Sequence, residues 1–209
     1  MKARTFAVTA LALGALAYAL TVTSAPAQTQ PPAQTQPAAP APSASADNYE
    51  LDPVHCSIIF GINHLGVSMF YGRVNSPGGK FHFNADDPSS ATFEIKAKLE
   101  NLDTGNGGRN KDVLGADFFN AKQFPEVTFK STSVKKTGKN YQLAGDLTLH
   151  GVTKPISADL EHIGTKDTKF GHRCGFSGTF KIRRSDFGVT HMADMLGDEM
   201  TFMVGLEGK

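Results

Sequence analysis

Apolar and polar residues alternate one by one along most of the chain beyond residue 57. Between residues 92 and 99, for example, Phe93, Ile95, Ala97 and Leu99 are separated by Thr92, Glu94, Lys96 and Lys98. A period of two places successive side chains on opposite faces of a β-strand. The pattern therefore predicts strands with one face in a core and the other in water.

Eight such segments are present, and clusters of Gly, Pro, Asn and Asp separate them. They are residues 58–64, 74–83, 92–99, 127–134, 141–150, 156–163, 176–182 and 200–206. Antiparallel strands with one apolar face either stack as a sandwich or close on themselves, and closure alone removes the exposed edges. We predict an all-β fold, an eight-stranded antiparallel β-barrel.

One connection is longer than the others, running from about Leu102, after the third predicted strand, to Val127. Residues 109–114 within it could form a short helix, and Phe118, Phe119 and Phe124 follow. Long connections in compact domains are usually functional or contain a helix of their own. The segment is predicted to cover one end of the barrel, either as a lid or as an ordinary end cap.

The barrel interior could hold a packed core or one small ligand. The chain has 15 Phe and no Trp, and many of the Phe residues share the inward face, where they would form apolar walls without polar groups. The candidate ligand contacts inside the barrel are Ile58, Phe60, Ile62, Phe129, Leu143, Phe176, Phe180 and Phe202, with Leu114, Phe118, Phe119, Phe124 and Phe187 nearer an end.

Polar candidates are few. His64 shares the inward face with Phe60 and Ile62 and could bind a head group, or it could be a core histidine satisfied by backbone. Arg109 could meet an anionic head group through paired hydrogen bonds, or form an ion pair within the fold. Cys56 and Cys174 could form a disulfide in an exported protein, or be two small buried side chains.

The amino-terminal residues predict export. Lys2 and Arg4 precede an apolar run that ends near Ala25-Pro26-Ala27, the layout of a secretory signal peptide. Residues 1–27 are assigned to the signal peptide, residues 28–48 to a disordered linker rich in Pro, Ala and Gln, and residues 49–209 to the barrel domain. We therefore expect a periplasmic location.

Charge excludes some partners. Removing Lys2 and Arg4 from 21 basic residues leaves 19, against 20 acidic residues. With no basic patch, nucleic-acid binding is not expected. No segment after the leader is long and apolar enough to suggest stable membrane insertion of the mature domain.

Several motifs together resemble the YceI-like family of exported, lipocalin-like polyisoprenoid-binding proteins. They are residues 49–55 (YELDPVH), 60–68 (FGINHLGVS), 72–74 (GRV), 116–119 (ADFF), 145–155 (GDLTLHGVTKP), 184–188 (RSDFG) and 197–199 (GDE). The resemblance implies a lipocalin-like barrel whose apolar tunnel takes an isoprenoid lipid, such as a polyprenyl phosphate or a quinone tail. It implies no catalysis and no cofactor other than the lipid itself.

The sequence bears on three other functions: catalysis, copper binding and a role as an interaction module. The sequence contains no G-x-S-x-G, H-E-x-x-H, Walker or G-x-G-x-x-G motif, so no enzyme class is indicated. Copper binding is an alternative because soft ligands gather near the carboxyl end: His191, Met192, Met195, Met200 and Met203. A filled barrel acting as an interaction or stress module is another. The sequence leaves the oligomeric state open, with a homodimer among the alternatives.

Overall fold

A computed structural model describes residues 47–209, which contain eleven strands and one α-helix. They are β1 (Asp47–Glu50), β2 (Ser57–His64), β3 (Ser68–Asn75), β4 (Gly78–Phe83), β5 (Thr92–Lys98), β6 (Leu102–Asp103), α1 (Gly107–Leu114), β7 (Glu126–Thr137), β8 (Asn140–Leu149), β9 (Val152–Thr168), β10 (Gly171–Arg183) and β11 (Leu196–Gly208). The predicted signal peptide, and the predicted linker apart from its last two residues, lie outside the described part. β1 includes those two residues.

The strands form one antiparallel sheet in the order β1-β4-β5-β7-β8-β9-β10-β11-β2-β3-β6. The sheet closes on itself at both margins. Glu50 and Lys209 exchange backbone hydrogen bonds of 3.0 and 2.9 Å, which join the end of β1 to the end of β11. On the other margin β6 continues the line of β5 and pairs with β3. The predicted antiparallel barrel is confirmed.

The predicted number of strands was too low. Residues 74–83 belong to two strands, because the chain turns between Asn75 and Gly78. Most of β3 was missed because its outward face carries Met69 and Tyr71, which are 45% and 57% exposed. Its inward face includes Gly72, so the usual alternation is absent. The helix follows β6 rather than a third strand.

The interior has two ends that differ in packing. At the end we call the closed end, phenylalanine rings from three strands meet around Phe176. Its ring centroid lies 4.9 Å from that of Phe83, 5.3 Å from Phe93 and 5.5 Å from Phe81, in each case edge to face. At the opposite end, the lid end, Val113, Leu114 and Phe119 pack against a second cluster that includes Phe60 and Ile182. No helix among residues 47–209 is long and apolar enough to span a membrane.

Candidate functional site

The barrel contains a cavity of about 120 Å³ that lies mainly toward the lid end. Of its 24 lining residues, only Thr128 is polar. Several inward side chains are only half-buried because part of their surface faces this space: Ile58, Ile95, Phe119, Val127, Phe129, Ile156, Phe180, Phe202 and Val204. The cavity can therefore offer an apolar surface and almost no hydrogen bonds.

Aromatic rings form one wall of the cavity. Phe180 on β10 and Phe202 on β11 stack with ring centroids 4.7 Å apart and planes 3° apart. Facing glycines make room for other rings: a Cβ added to Gly72 would lie 2.4 Å from the Phe60 ring, and one at Gly145 would lie 2.4 Å from the Phe129 ring. These glycines let large rings lie flat along the wall.

The connection between β6 and β7, which includes α1 and which we call the lid, is held in place by its own polar contacts. Asn106 caps α1 by accepting a hydrogen bond from Arg109 N at 2.9 Å. Asn110 Oδ1 accepts from Thr104 N and Thr104 Oγ1 at 2.8 and 2.5 Å. The Arg109 guanidinium lies 4.4 Å from the centroid of Phe70 and donates to Thr104 O at 2.7 Å. Arg109 therefore joins the lid to β3.

The three phenylalanines after α1 have different roles. Phe119 lines the cavity. Phe118 packs edge to face on His191, and Phe124 does the same on His150, with centroids 4.8 and 5.0 Å apart. His150 Nδ1 in turn lies 3.0 Å from Phe187 O. Phe118 and Phe124 thus fasten the connection to neighbouring loops, while Phe119 reaches inward.

A buried arginine supports the loop of residues 188–197, which contacts the lid through His191. Arg184 is 3% exposed and donates to four backbone carbonyl oxygens, those of Val189, His191, Leu196 and Gly197, at 2.6 to 3.2 Å. Burial lowers the pKa of this guanidinium, and the charge of Asp198 opposes the shift. Arg184 therefore shapes the fold at the lid end.

The structure gathers about half of the predicted contacts around the cavity: Ile58, Phe60, Phe119, Phe129, Leu143, Phe180 and Phe202. Ile62, Phe187 and Leu114 pack in the core of the lid end, and Phe176 packs in the closed end. The cavity wall also contains residues that were not predicted as ligand contacts, such as Ile95, Val127, Ile156 and Val204. The alternation on the same strands places all four on the inward face, so that signal was available.

His64 was predicted to point into the barrel, and the structure corrects this. It is exposed at the end of β2. The register between β11 and β2 shifts between the pairs Leu196–His64 and Met200–Ile62, so His64 lies beyond the regular part of the wall. Arg109, for its part, lies outside the cavity lining and is engaged with Phe70 and Thr104.

The two cysteines are buried thiols, so the disulfide alternative is wrong. Cys174 on β10 pairs with Gly208 of β11, while Cys56 Sγ accepts a hydrogen bond from Glu207 N on the other side of the same strand. Strands separated by a third strand lie about 9 to 10 Å apart, too far for a disulfide. Burial raises the pKa of the Cys56 thiol.

One group at the closed end has the composition of a metal site: Asp52, His55 and Glu207. Cations of the protein already pair with it, because Arg173 NH1 lies 3.2 Å from Asp52 Oδ2 and Lys209 Nζ lies 3.7 Å from Asp52 Oδ1. The hydrogen bond from His55 lowers the pKa of the Asp52 carboxyl, burial opposes it, and Lys209 adds to the lowering. The group acts as a salt-bridge network that ties Asp52 to β10 and β11.

Two side chains of the copper alternative lie on opposite faces of β11. Met200 is buried in the core of the lid end, whereas Met203 is exposed on the outer face of the same strand. The His191 ring packs on Phe118. Met200 and Met203 are three residues apart on one strand, so their side chains point to opposite faces and cannot bind the same ion.

Known proteins match the barrel domain of this chain in sequence. The YceI-like domain matches residues 49–207. This chain belongs to the YceI-like family. Protein YceI of an Escherichia coli strain is 36% identical over 171 residues, 80% of this chain and 90% of that one. A UPF0312 protein of Photorhabdus laumondii is 38% identical, again over 171 residues, and 89% of its length is covered.

Three solved structures have a similar fold. Campylobacter jejuni YceI is 28% identical with a TM-score of 0.63, covering 70% of this chain and 89% of that one. Burkholderia cenocepacia BcnA is 20% identical with a TM-score of 0.70, covering 76% and 99%. A domain from Saccharophagus degradans, described as polyisoprenoid binding, is 14% identical with a TM-score of 0.57, covering 77% and 97%. The last two comparisons show the fold alone.

Proposed function

We propose that this YceI-like protein binds a long-chain isoprenoid lipid, of the polyprenyl phosphate or isoprenoid quinone type, in its barrel cavity. The observation that carries the proposal is the cavity lining, which is apolar except for Thr128. A branched hydrocarbon chain needs such a surface and no hydrogen bonds. The description of the Saccharophagus degradans neighbour as a polyisoprenoid binding domain supports this class of ligand.

Burial alone would supply the affinity. Each methylene moved from water into an apolar site contributes about 0.8 kcal/mol. The cavity of about 120 Å³ is smaller than the roughly 300 Å³ usual for ligand pockets. A long chain must therefore widen it, and the half-buried Phe119, Phe180 and Phe202 are the side chains that have room to move.

The lining suits binding rather than catalysis. It contains no histidine, cysteine, serine or charged residue that could act as a nucleophile, acid or base. We therefore infer a binding protein. We propose that it acts in the periplasm as a carrier, store or sensor of the lipid, which the predicted signal peptide supports.

A second candidate function is an interaction module with a filled barrel. The small cavity volume and the tightly packed rings of the closed end favour it. The two functions differ in a simple way: a carrier takes up an added lipid with a defined stoichiometry, and a filled barrel does not.

The test begins with protein purified from its native compartment without detergent. Its intact mass is recorded under non-denaturing conditions, and an organic extract is then analysed by mass spectrometry. We expect one isoprenoid chain per barrel. Protein that carries no lipid and takes up neither added geranylgeraniol nor a quinone would overturn the proposal and leave the interaction module.

A pair of variants links any bound lipid to the cavity. Ala97 lines the cavity, and Ala97→Phe should block uptake. Ala144 lies on the opposite face of its strand, between inward Leu143 and Gly145, and Ala144→Phe should leave uptake unchanged. Ala97→Leu serves as a milder block if the larger ring impairs folding.

A further inference from the structure

The barrel wall is interrupted between β9 and β10. Pairing of these strands stops at Asp159–Thr179. Beyond that pair, β9 continues to pair with β8 as far as Val152, and β10 continues to pair with β11 as far as Arg183. We call the gap between residues 152–158 and residues 180–183 the window. The contact between His150 and Phe187 bounds it at the lid end.

The window lies between the cavity and an outer groove of about 800 Å³. Four side chains line both spaces: Ile156 and Ala158 of β9, and Phe180 and Ile182 of β10. The cavity and the groove therefore share an apolar boundary between these two strands. The outer part of the groove is polar and includes Ser157, Asp159, Thr179, Asp186 and Glu199.

Lys154 is the charged residue on the inward face of the window. It alternates with Val152 and Ile156, and it pairs with Leu147 of β8, which is a buried wall residue. Lys154 is nevertheless exposed, because no strand lies across from it on the β10 side. Among residues 47–209, no acidic side chain forms an ion pair with its ammonium group.

The other basic residues of the groove are placed differently. Lys181 lies on the outward face of β10, and its Nζ is 2.7 Å from Glu199 Oε1. Arg183 has the same outward parity, and its charge helps to lower the pKa of the Asp198 carboxyl, an effect smaller than that of the Ser185 hydrogen bonds. Lys154 is thus the cation that an occupant of the window can reach from the cavity side.

We propose that the window holds the head group of the bound lipid, and that Lys154 binds an anionic head group of the phosphate class. This rests on the proposed function and specifies its ligand. A phosphate cannot enter the apolar cavity without losing its hydration, which costs several kcal/mol. At the window it keeps water on one side and gains a charge-assisted hydrogen bond from Lys154 on the other. The chain meanwhile lies against Ile156, Phe180 and Ile182.

The test compares two probes that share one chain, geranylgeranyl phosphate and the uncharged geranylgeraniol. Their dissociation constants are measured on the full-length mature protein and on Lys154→Gln and Lys181→Gln variants. We expect Lys154→Gln to weaken phosphate binding by about tenfold and to leave geranylgeraniol binding unchanged. Lys181→Gln removes the same charge from the same groove, and we expect it to change neither constant by more than about twofold.

The outcomes separate the two proposals. If neither probe binds the native protein, the proposed function fails. If both bind and Lys154→Gln weakens neither, or if Lys154 and Lys181 have equal effects on the phosphate, the assignment of Lys154 is wrong while lipid binding stands. Restoration of phosphate binding by Lys154→Arg would support a role of the positive charge.

Discussion

The closed end and the lid end follow the same alternation of apolar residues but differ in how their rings meet. At the closed end Phe176 is 2% exposed and meets three other phenylalanines edge to face. At the lid end Phe180 and Phe202 stack on each other, and both remain half-buried beside the cavity. The difference indicates that the closed end stabilises the barrel, while the lid end is free to adapt to an occupant.

The largest expected effect tests this division with one substitution at each end. Phe176→Ala should lower the free energy of unfolding by about 3 to 5 kcal/mol, because it leaves a new cavity among packed rings. Phe202→Ala should cost about 1 to 2 kcal/mol, because much of that ring already faces empty space. Equilibrium unfolding in urea measures both. Equal losses would contradict the proposed division.

A smaller loss of stability is expected when either of two glycines that lie against aromatic rings is replaced. A Cβ at Gly208 would lie 2.5 Å from the Phe81 ring and 2.6 Å from Tyr49 Cβ, at the closed end. A Cβ at Gly72 would lie 2.4 Å from the Phe60 ring, which can move toward the cavity. We expect Gly208→Ala to cost about 1 to 3 kcal/mol and Gly72→Ala to cost less. Thermal unfolding of both variants gives the order, and a reversed order would count against free space behind Phe60.

The lid itself can be loosened without touching the cavity lining. Arg109→Ala removes the contact with Phe70 and the hydrogen bond to Thr104 O. We expect a local loss of about 1 kcal/mol, seen as faster hydrogen exchange in α1. Exchange at the closed end should not change, and Lys111→Ala, on an exposed position of the same helix, is the control.

The smallest expected effect is a pH dependence of the closed end. His162 packs against Phe83 and Phe176, and burial lowers its pKa, while a hydrogen bond with Gly164 opposes the shift. The unfolded chain therefore binds this proton more tightly. The contribution of His162 to the free energy of unfolding should be fully present above about pH 6.5 and should be lost as the pH falls through its pKa in the folded protein.

Urea midpoints at pH 7.5 and pH 5.5 measure this effect. The native protein should lose more stability on acidification than a His162→Gln variant does. The same slope in both proteins would show that other groups cause the loss.

Alternation was enough to predict the barrel, because most of the large apolar residues of β7 to β11 lie on one face, with exposed exceptions such as Ile163 and Met203. It failed at β3, where the exposed Met69 and Tyr71 are apolar and the inward Gly72 has no side chain. The inward position of β3 can be a glycine because the Phe60 ring of the neighbouring strand lies against Gly72 and fills the space. The amino-acid sequence alone does not show that contact.

The alternation also predicted part of the cavity wall, but it could not show where strand pairing stops. His64 has the inward parity of Ile62 and is exposed, because a register shift in β11 precedes it. Lys154 has the inward parity of Ile156 and is exposed, because β10 no longer pairs with β9 there. In both cases the deciding fact is the path of a neighbouring strand, which is a tertiary property.

The closure of the barrel through Glu50 and Lys209 has a consequence for folding kinetics. These backbone hydrogen bonds join residues at opposite ends of the domain sequence, and contacts so distant along the chain have a high cost in loop entropy and slow the search for the native topology. The strands from β7 to β10 can pair as successive hairpins, and β1 can pair with β4, before β11 is in place. The seam between β1 and β11 at the tightly packed closed end therefore forms only after the carboxyl-terminal strand has found its place.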